Sequence, residues 1–337
     1  MMRNMELNHK KTFRKAGCLL NKTAIMLTGF SCNNSCIMCS VRELRRTQKD
    51  RSTSEILSDI SRYRKEGFKR IEFSGGEVTL RKDIFALLRH AKILGFEKVL
   101  ISTNGRKLKD FNFCKDILSC GLDLSSFSIY GHTSKIHDRI TRSEGSFRQT
   151  VQGLENFKKI NKSGEMVNTV ILKYNYQYLK NFCNYFSKDL GIVDWNIGDL
   201  IPQGNALNYY KFLAIEPNEL SKALKGILEG IENNPFKMVT FFDFPLCFFS
   251  PSFRKNPKIN FITAMQRELL FSIKGEKIGT RLSRISNKIY YDKFKTRINI
   301  CKSCLFTDNC GGIWNKYLEL FSEEAINKLA KNNKCLT

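Results

Sequence analysis

Between residues 22 and 206 the sequence alternates six short apolar runs with segments of helical period, and this rhythm restricts the fold more than any other feature. "TAIMLTGF", "KRIEFSGG", "KVLISTNG", "LSSFSIYG", "MVNTVILKYN" and "VDWNIGDL" read as strands. Between them, "STSEILSDISRYRKEG" places Ser52 and Glu55 at capping-box spacing and puts Ile56, Ile60 and Tyr63 on one face. "LRKDIFALLRHAKILG" stops at Gly95, and "FRQTVQGLENFKKI" and "YQYLKNFCNYFSKDLG" read as two further helices. Strands that alternate with helices imply βαβ crossovers and a parallel sheet. Such sheets bind ligands beyond the C-terminal ends of their strands, so the chemistry is expected in the loop after each strand.

After about residue 210 the rhythm breaks. "PNELSKALKGILEGIENN" reads as a helix, "FKMVTFFDFPLCFFS" as an aromatic strand-like run, residues 251–300 as basic and irregular, and 316–331 as an amphipathic helix. The expected organisation is an N-terminal extension over 1–21, a core domain over 22–212 and a docked C-terminal domain over 213–337. Hydrophobic residues make up 42% and charged residues 26%, a globular balance. No run reaches the length of a membrane span, and the start lacks an apolar signal core with a cleavage site, so a cytoplasmic protein is expected. The 12 cysteines of such a chain are expected to be metal ligands and buried thiols, not disulfides. The net charge of +24 permits an acidic partner, but its lysines and arginines form no polybasic tail and no nucleic-acid signature stands out.

Three of those cysteines, Cys32, Cys36 and Cys39, fall within "SCNNSCIMCS", directly after the first strand. Thiolates are soft ligands suited to zinc and to iron–sulfur clusters. A four-iron cube needs one ligand per iron, so three cysteines leave one iron open to a substrate or cofactor. By spacing alone the trio also reads as buried thiols, or as a zinc knuckle borrowing a distant ligand.

The loop and the strand ends after it resemble the radical S-adenosylmethionine (radical SAM) superfamily, over roughly residues 22–206. The fold this implies is α/β: a partial (β/α)6 TIM-like barrel with a small C-terminal extension. In that family the fourth ligand of the [4Fe-4S] cluster is S-adenosylmethionine itself. The resemblance implies that Gly75 and Gly76 of "FSGGEVTL" let backbone approach the cofactor and that Glu77 pairs with its ammonium group. It implies cofactor contacts from Ser128, from Arg142 to the carboxylate, from Asn168, and from the backbone near Ile201 beside adenine. Met38 stands where the family commonly has an aromatic residue, and its thioether can still pack on adenine. Val78 replaces a frequent proline. The implied reaction is reductive cleavage of the cofactor to a 5′-deoxyadenosyl radical that abstracts a substrate hydrogen, fed by an electron donor such as flavodoxin or ferredoxin. No acid or base is identified: His9, His90, His132 and His137 lack metal spacing, and His137 reads as a loop or capping residue.

A second group, Cys301, Cys304 and Cys310, follows a C-x2-C-x5-C pattern. It resembles the extension called SPASM or twitch in radical SAM enzymes that modify peptides and proteins. Trp314 occupies the position of a further SPASM cysteine, so one auxiliary [4Fe-4S] cluster is expected, with a zinc clip as the alternative. Cys247 is preferred as its fourth ligand because it follows a strand and a proline and is less liable to fray than a residue as close to the end as Cys335, which is the alternative. Cys18, Cys114, Cys120 and Cys183 read as core or surface thiols. The substrate implied is a peptide or protein, possibly acidic. The alternatives are a small molecule of cofactor or metabolite biosynthesis, or a non-catalytic iron–sulfur or zinc protein.

Overall fold

A computed structural model describes residues 23–263, 271–273 and 293–336. The proposed N-terminal extension, His9 and Cys18 lie outside the described residues, as does part of the basic stretch 251–300.

The chain runs β1 (Thr23–Leu27), α1 (Thr53–Lys65), β2 (Arg70–Ser74), α2 (Ile84–Ile93), β3 (Lys98–Thr103), α3 (Phe111–Ser119) and β4 (Leu124–Ser128). It continues through α4 (Ser134–Thr141), α5 (Ser146–Ile160), β5 (Glu165–Val170), α6 (Leu179–Asn184) and β6 (Asp194–Gly198). The six expected strands are all present and all parallel. Ser52 caps α1 with the complete capping box, and Gly95, at φ +84°, follows α2 where a left-handed residue ends the helix.

The sheet does not stop at the sixth strand. After α7 (Pro217–Glu232), β7 (Met238–Phe242), α8 (Pro251–Lys255) and β8 (Ile259–Ile262) extend it, again in parallel, and β9 (Phe271–Ile273) adds beyond β1. The expected boundary at 212/213 therefore precedes strands that continue the same sheet. The cause is the aromatic run: Phe241 sits among Phe244, Phe249, Phe253 and Phe261 at ring distances of 5.1–5.8 Å. Buried side chains of this size each contribute about 1.5–3 kcal/mol, which fixes both strands against the core. The remainder is a small unit of β10 (Lys295–Thr296) paired with β11 (Ile313–Trp314), then α9 (Asn315–Leu318) and α10 (Glu323–Asn332). The single helix expected over 316–331 is thus two, because Ser322 starts a new one by capping Ala325 N–H.

The sheet curls into a half-barrel. Laid flat, β1 and β6 would stand five strands, or roughly 24 Å, apart. Their following loops nevertheless meet, with Asn205 N–H donating to Cys39 O at 3.1 Å. The alternate residues of the strands divide cleanly. Trp195 faces outward and packs on Phe182, Phe186 and Phe236. The opposite face lines the lumen, where the strand register aligns Ser128, Asn168, Asn196, Thr240 and Asn260 in one row across β4 to β8.

Candidate cofactor site at the strand ends

The cysteine loop leaves β1 at Leu27 and is tied down from four directions. Gly76 N–H donates to Gly29 O at 2.8 Å and Glu77 N–H to Ser31 O at 2.7 Å. Ser35 N–H and Ile37 N–H donate to Thr141 O and Ile140 O, both at 2.9 Å, at the end of α4. Arg106, after β3, donates to Asn33 O and to Asn34 Oδ1. Asn205, after β6, makes the fourth tie through Cys39 O. Within the loop's own continuation, Arg45 Nη1 donates to Asn34 O at 2.8 Å. Partial burial would raise the Asp50 carboxyl, but hydrogen bonds from Ser31 and Phe30 and the charge of Arg81 hold it below the usual range.

The glycine pair explains the closeness. A Cβ on Gly76 would lie 2.2 Å from Ser31 O, and one on Gly75, at φ +124°, would lie 2.4 Å from Gly29 O. Both glycines were expected to admit a cofactor; what they visibly admit is the backbone of the cysteine loop. Glu77, for which the expectation was a pairing with an ammonium group, has partners within the chain. It is buried, and its Oε1 accepts from Thr79 N–H at 3.1 Å and from the Thr79 and Thr103 hydroxyls, both at 2.6 Å. Its Oε2 accepts Asn104 N–H at 2.6 Å. The carboxylate therefore knots the end of β2 to the end of β3 with donors from the chain itself.

Asn104 carries that knot to the thiols. Its Nδ2 donates to Asn33 Oδ1 at 2.7 Å and faces Cys32 Sγ at 3.7 Å. Burial raises the thiols of Cys32 and Cys36, and for Cys36 the neighbouring Cys39 and Cys32 raise it further. Burial thus favours the neutral thiols, and a bound cation such as iron or zinc would favour the thiolates. Tyr130, after β4, stands within electrostatic reach of all three cysteines and close to the Ser128 side chain. Sequence reasoning missed Tyr130, Asn104, Arg106 and Arg45; only "STNG" and "SFSIYG" pointed to their neighbourhood.

Residues 26–186 match the family model for the radical SAM superfamily. The chain carries a radical SAM domain. Over 177 residues, 52% of this chain and 45% of the other, it is 30% identical to an AdoMet-dependent heme synthase of Oleidesulfovibrio alaskensis. Over 204 residues, 60% of this chain and 63% of the other, it is 26% identical to a probable GTP 3′,8-cyclase of Sulfurisphaera tokodaii. The matched stretches thus span about half to two thirds of these relatives. Among solved structures, native anSMEcpe with bound AdoMet and Cp18Cys peptide aligns at TM-score 0.60 and 14% identity, over 92% of this chain and 97% of that one. SuiB of Streptococcus suis bound to S-adenosylmethionine aligns at TM-score 0.58 and 15% identity, over 93% and 78%. At those identities the likeness is one of fold.

The radical SAM family uses a [4Fe-4S] cluster and S-adenosylmethionine, and the residues present fit both. The three cysteines supply soft ligands from one braced loop. Asn168 Oδ1 is buried with no hydrogen-bond partner, next to Ser128 in the strand register, so an acceptor waits where the cofactor is expected. Met38 is buried within the core cluster, and Ile201 packs against that cluster from the loop after β6. Arg142 is exposed at the left-handed C-cap of α4, with its guanidinium 5.8 Å from the Tyr209 ring.

His137, expected in a loop or cap, lies fully buried on α4, where its Nδ1 accepts Tyr130 N–H at 3.2 Å. Cys114, Cys120 and Cys183 are buried core thiols as expected. Among the described residues, no helix is long and apolar enough to cross a membrane.

In the C-terminal unit, five cysteines gather in place of the expected four. Burial raises the Cys247 thiol, and the charges of Cys310, Cys335, Cys301 and Cys304 raise it further, so all four lie within electrostatic reach of it. The fraying expected of Cys335 does not occur. Its N–H donates to Ala330 O at 2.9 Å, its carbonyl accepts Leu305 N–H at 2.8 Å, and Leu336 bridges Cys304 in antiparallel fashion. Cys335 is fully buried as a result. Among the described residues, no three Cys, His, Asp or Glu side chains close on a single-ion site. The unit docks on the barrel through Trp314, whose Nε1 donates to Asp199 Oδ2 at 3.0 Å.

Proposed function

We propose that this chain is a radical SAM enzyme acting on a peptide or protein segment laid across the lumen of its half-barrel. The observation that carries the reading is that the row continues past the cofactor's Ser128 and Asn168 through Asn196, Thr240 and Asn260, which offer neutral donors and acceptors over three further strands. From that row to the C-terminal edge, no lumen-facing position of β4 to β8 among the described residues is a lysine or arginine. Amides and hydroxyls at strand spacing suit the amide groups of an extended chain better than a phosphate.

When bound, S-adenosylmethionine at the reduced cluster supplies a radical that takes hydrogen from a C–H bond. The chain's part is to hold and exclude. Cys32, Cys36 and Cys39 hold three irons; Glu77 and Asn104 fix the loop that carries them; Ser128 and Asn168 offer hydrogen bonds to the cofactor. Cys301, Cys304, Cys310 and Cys335 hold an auxiliary cluster, with Cys247 packed beside it. The net charge of +24 suits an acidic electron donor such as flavodoxin or ferredoxin, and an acidic substrate.

A second reading, an enzyme of small-molecule biosynthesis, is favoured by the names of the curated relatives, a heme synthase and a GTP cyclase. The two separate by substrate. Anaerobically reconstituted protein given dithionite and S-adenosylmethionine should release 5′-deoxyadenosine, and Cys36→Ala should not. Stimulation of that release by a short peptide encoded beside the gene, with a mass change in the peptide, supports the first reading. Stimulation by GTP or a porphyrin precursor, with the peptide inert, overturns it.

A further inference from the structure

The C-terminal cysteine pocket contains a cation that the cysteine spacing gave no reason to expect. Arg254, on α8, reaches in from the segment that follows Cys247. Its Nη1 donates to Leu246 O at 3.2 Å and to Phe249 O, and its Nη2 donates to Asn333 O at 2.7 Å. Its guanidinium carbon lies 4.5 Å from the centre of the Phe306 ring. These contacts join the three segments that deliver cysteines: the turn bearing Cys247, the loop bearing Cys304 and Cys310, and the tail bearing Cys335. A planar fork can serve several acceptors and stack on a ring at once; an ammonium group cannot.

One contact exceeds what clamping needs. Arg254 Nη1 also donates to Cys335 Sγ at 3.4 Å. The carbonyls and the ring would seat the guanidinium without it. Cys304, whose neighbour Leu305 pairs with Cys335 through the backbone, lies within reach of the same positive charge.

We propose that Arg254 is a positioning residue that orients Cys335 as a cluster ligand and raises the reduction potential of the auxiliary cluster by hydrogen-bonding the ligand's sulfur. The proposal rests on the reading above that these cysteines hold a four-iron cluster. One-electron reduction adds a negative charge that spreads onto the ligand sulfurs. An N–H donor and a cation beside one of them stabilise the reduced form more than the oxidised form, and burial strengthens the effect.

The test uses full-length protein carrying Cys36→Ala, so that the auxiliary cluster is the one titrated. Potentiometric titration followed by electron paramagnetic resonance compares this parent with Arg254→Lys and Arg254→Gln. Both variants should keep the parent's iron content. At a fixed potential the ratio of reduced to oxidised cluster should fall by about tenfold in Arg254→Gln, a midpoint about 59 mV lower, with a smaller fall in Arg254→Lys. Unchanged midpoints with iron retained overturn the proposal and leave Arg254 a structural clamp. If the variants lose iron, the parent grown on 15N-arginine decides. Arg297, whose Nη2 donates to Cys310 O at 3.2 Å, is the control: a 15N hyperfine coupling to the reduced cluster that persists in Arg297→Lys supports the sulfur bond, and its absence overturns it. A parent that binds no iron at all overturns the cluster reading itself, a result distinct from either.

Discussion

Glu77 Oε2 accepts the backbone N–H of Asn104 at 2.6 Å, while Asn104 Nδ2 donates to Asn33 Oδ1 at 2.7 Å. One buried carboxylate thus governs the position of the cysteine loop from the end of β2 by way of β3. Glu77→Gln would turn an N–H toward one of the four donors that the carboxylate now satisfies, and would remove the charge that strengthens every bond. Hydrogen bonds to charged groups contribute about 1.5–3 kcal/mol each, and an unmet buried donor costs a similar amount. The variant is expected to lose about 3 kcal/mol of stability in anaerobic urea unfolding, and to bind less iron at the N-terminal site than at the C-terminal one. Equal iron at both sites would show that Glu77 does not position the loop.

What could be read from the sequence was whatever lay close along the chain. Ser52 and Glu55 are three residues apart, and the capping box they announce is present. The cysteine spacing and the Gly75–Gly76–Glu77 run are equally local, and the loop and strand end they mark do meet. Contacts between distant residues were invisible: Arg106 reaches Asn33 across 73 positions and Arg254 reaches Cys335 across 81. The run "FKMVTFFDFPLCFFS" read as strand-like but not as a member of the core sheet, because it shows no clear polar–apolar alternation and its partner β6 lies beyond α7, and the eighth strand, Ile259–Ile262, fell in the stretch read as irregular. Cys335 was undervalued for the same reason, since nothing adjacent in sequence shows that Leu305 and Ala330 hold its backbone.

The two loop glycines are not interchangeable with other glycines of the chain. Gly67, at φ +91°, has nothing within 4 Å of where a Cβ would sit, whereas at Gly76 that atom would meet Ser31 O at 2.2 Å. Gly67→Ala should therefore cost only the backbone strain, about 1 kcal/mol. Gly76→Ala must push the cysteine loop off β2 and is expected to abolish S-adenosylmethionine binding, with N-terminal iron lost and C-terminal iron kept. Calorimetric binding and iron analysis of the pair check this, and a Gly76→Ala protein that binds the cofactor normally would refute it.

His137 makes the fold sensitive to acid. Burial lowers its pKa from 6.5 to about 4, because a charged imidazolium would lack solvation beside Tyr130 and Phe147. Between those values the unfolded chain binds a proton that the folded chain refuses, so stability is full above pH 6.5 and falls as pH drops toward 4. At about 1.4 kcal/mol per unit, the loss approaches about 3 kcal/mol at the acid end. His137→Asn, whose side-chain oxygen can accept Tyr130 N–H in place of Nδ1, should be less stable at pH 7.5 but lose less between pH 6.5 and 5. Urea midpoints at the three pH values measure the slope, and an identical slope in the variant would assign the acid sensitivity elsewhere.

Five cysteines lie within electrostatic reach of one another around Cys247, and a four-iron cube needs four ligands, so one of them is spare. The backbone pairing of residues 335–336 with 304–305 brings Cys335 beside Cys304, while Cys247 arrives from a separate turn seated by the phenylalanine cluster. Wild-type protein should therefore hold about eight irons, four at each site. Cys335→Ala should fall to about four, with the auxiliary signal gone from the paramagnetic resonance spectrum. Cys247→Ala should keep about eight and lose stability instead, through packing lost at a half-buried position. The reverse outcome, eight irons without Cys335 and four without Cys247, would make the turn cysteine the ligand. Arg254 would then be holding the tail thiol away from the cluster.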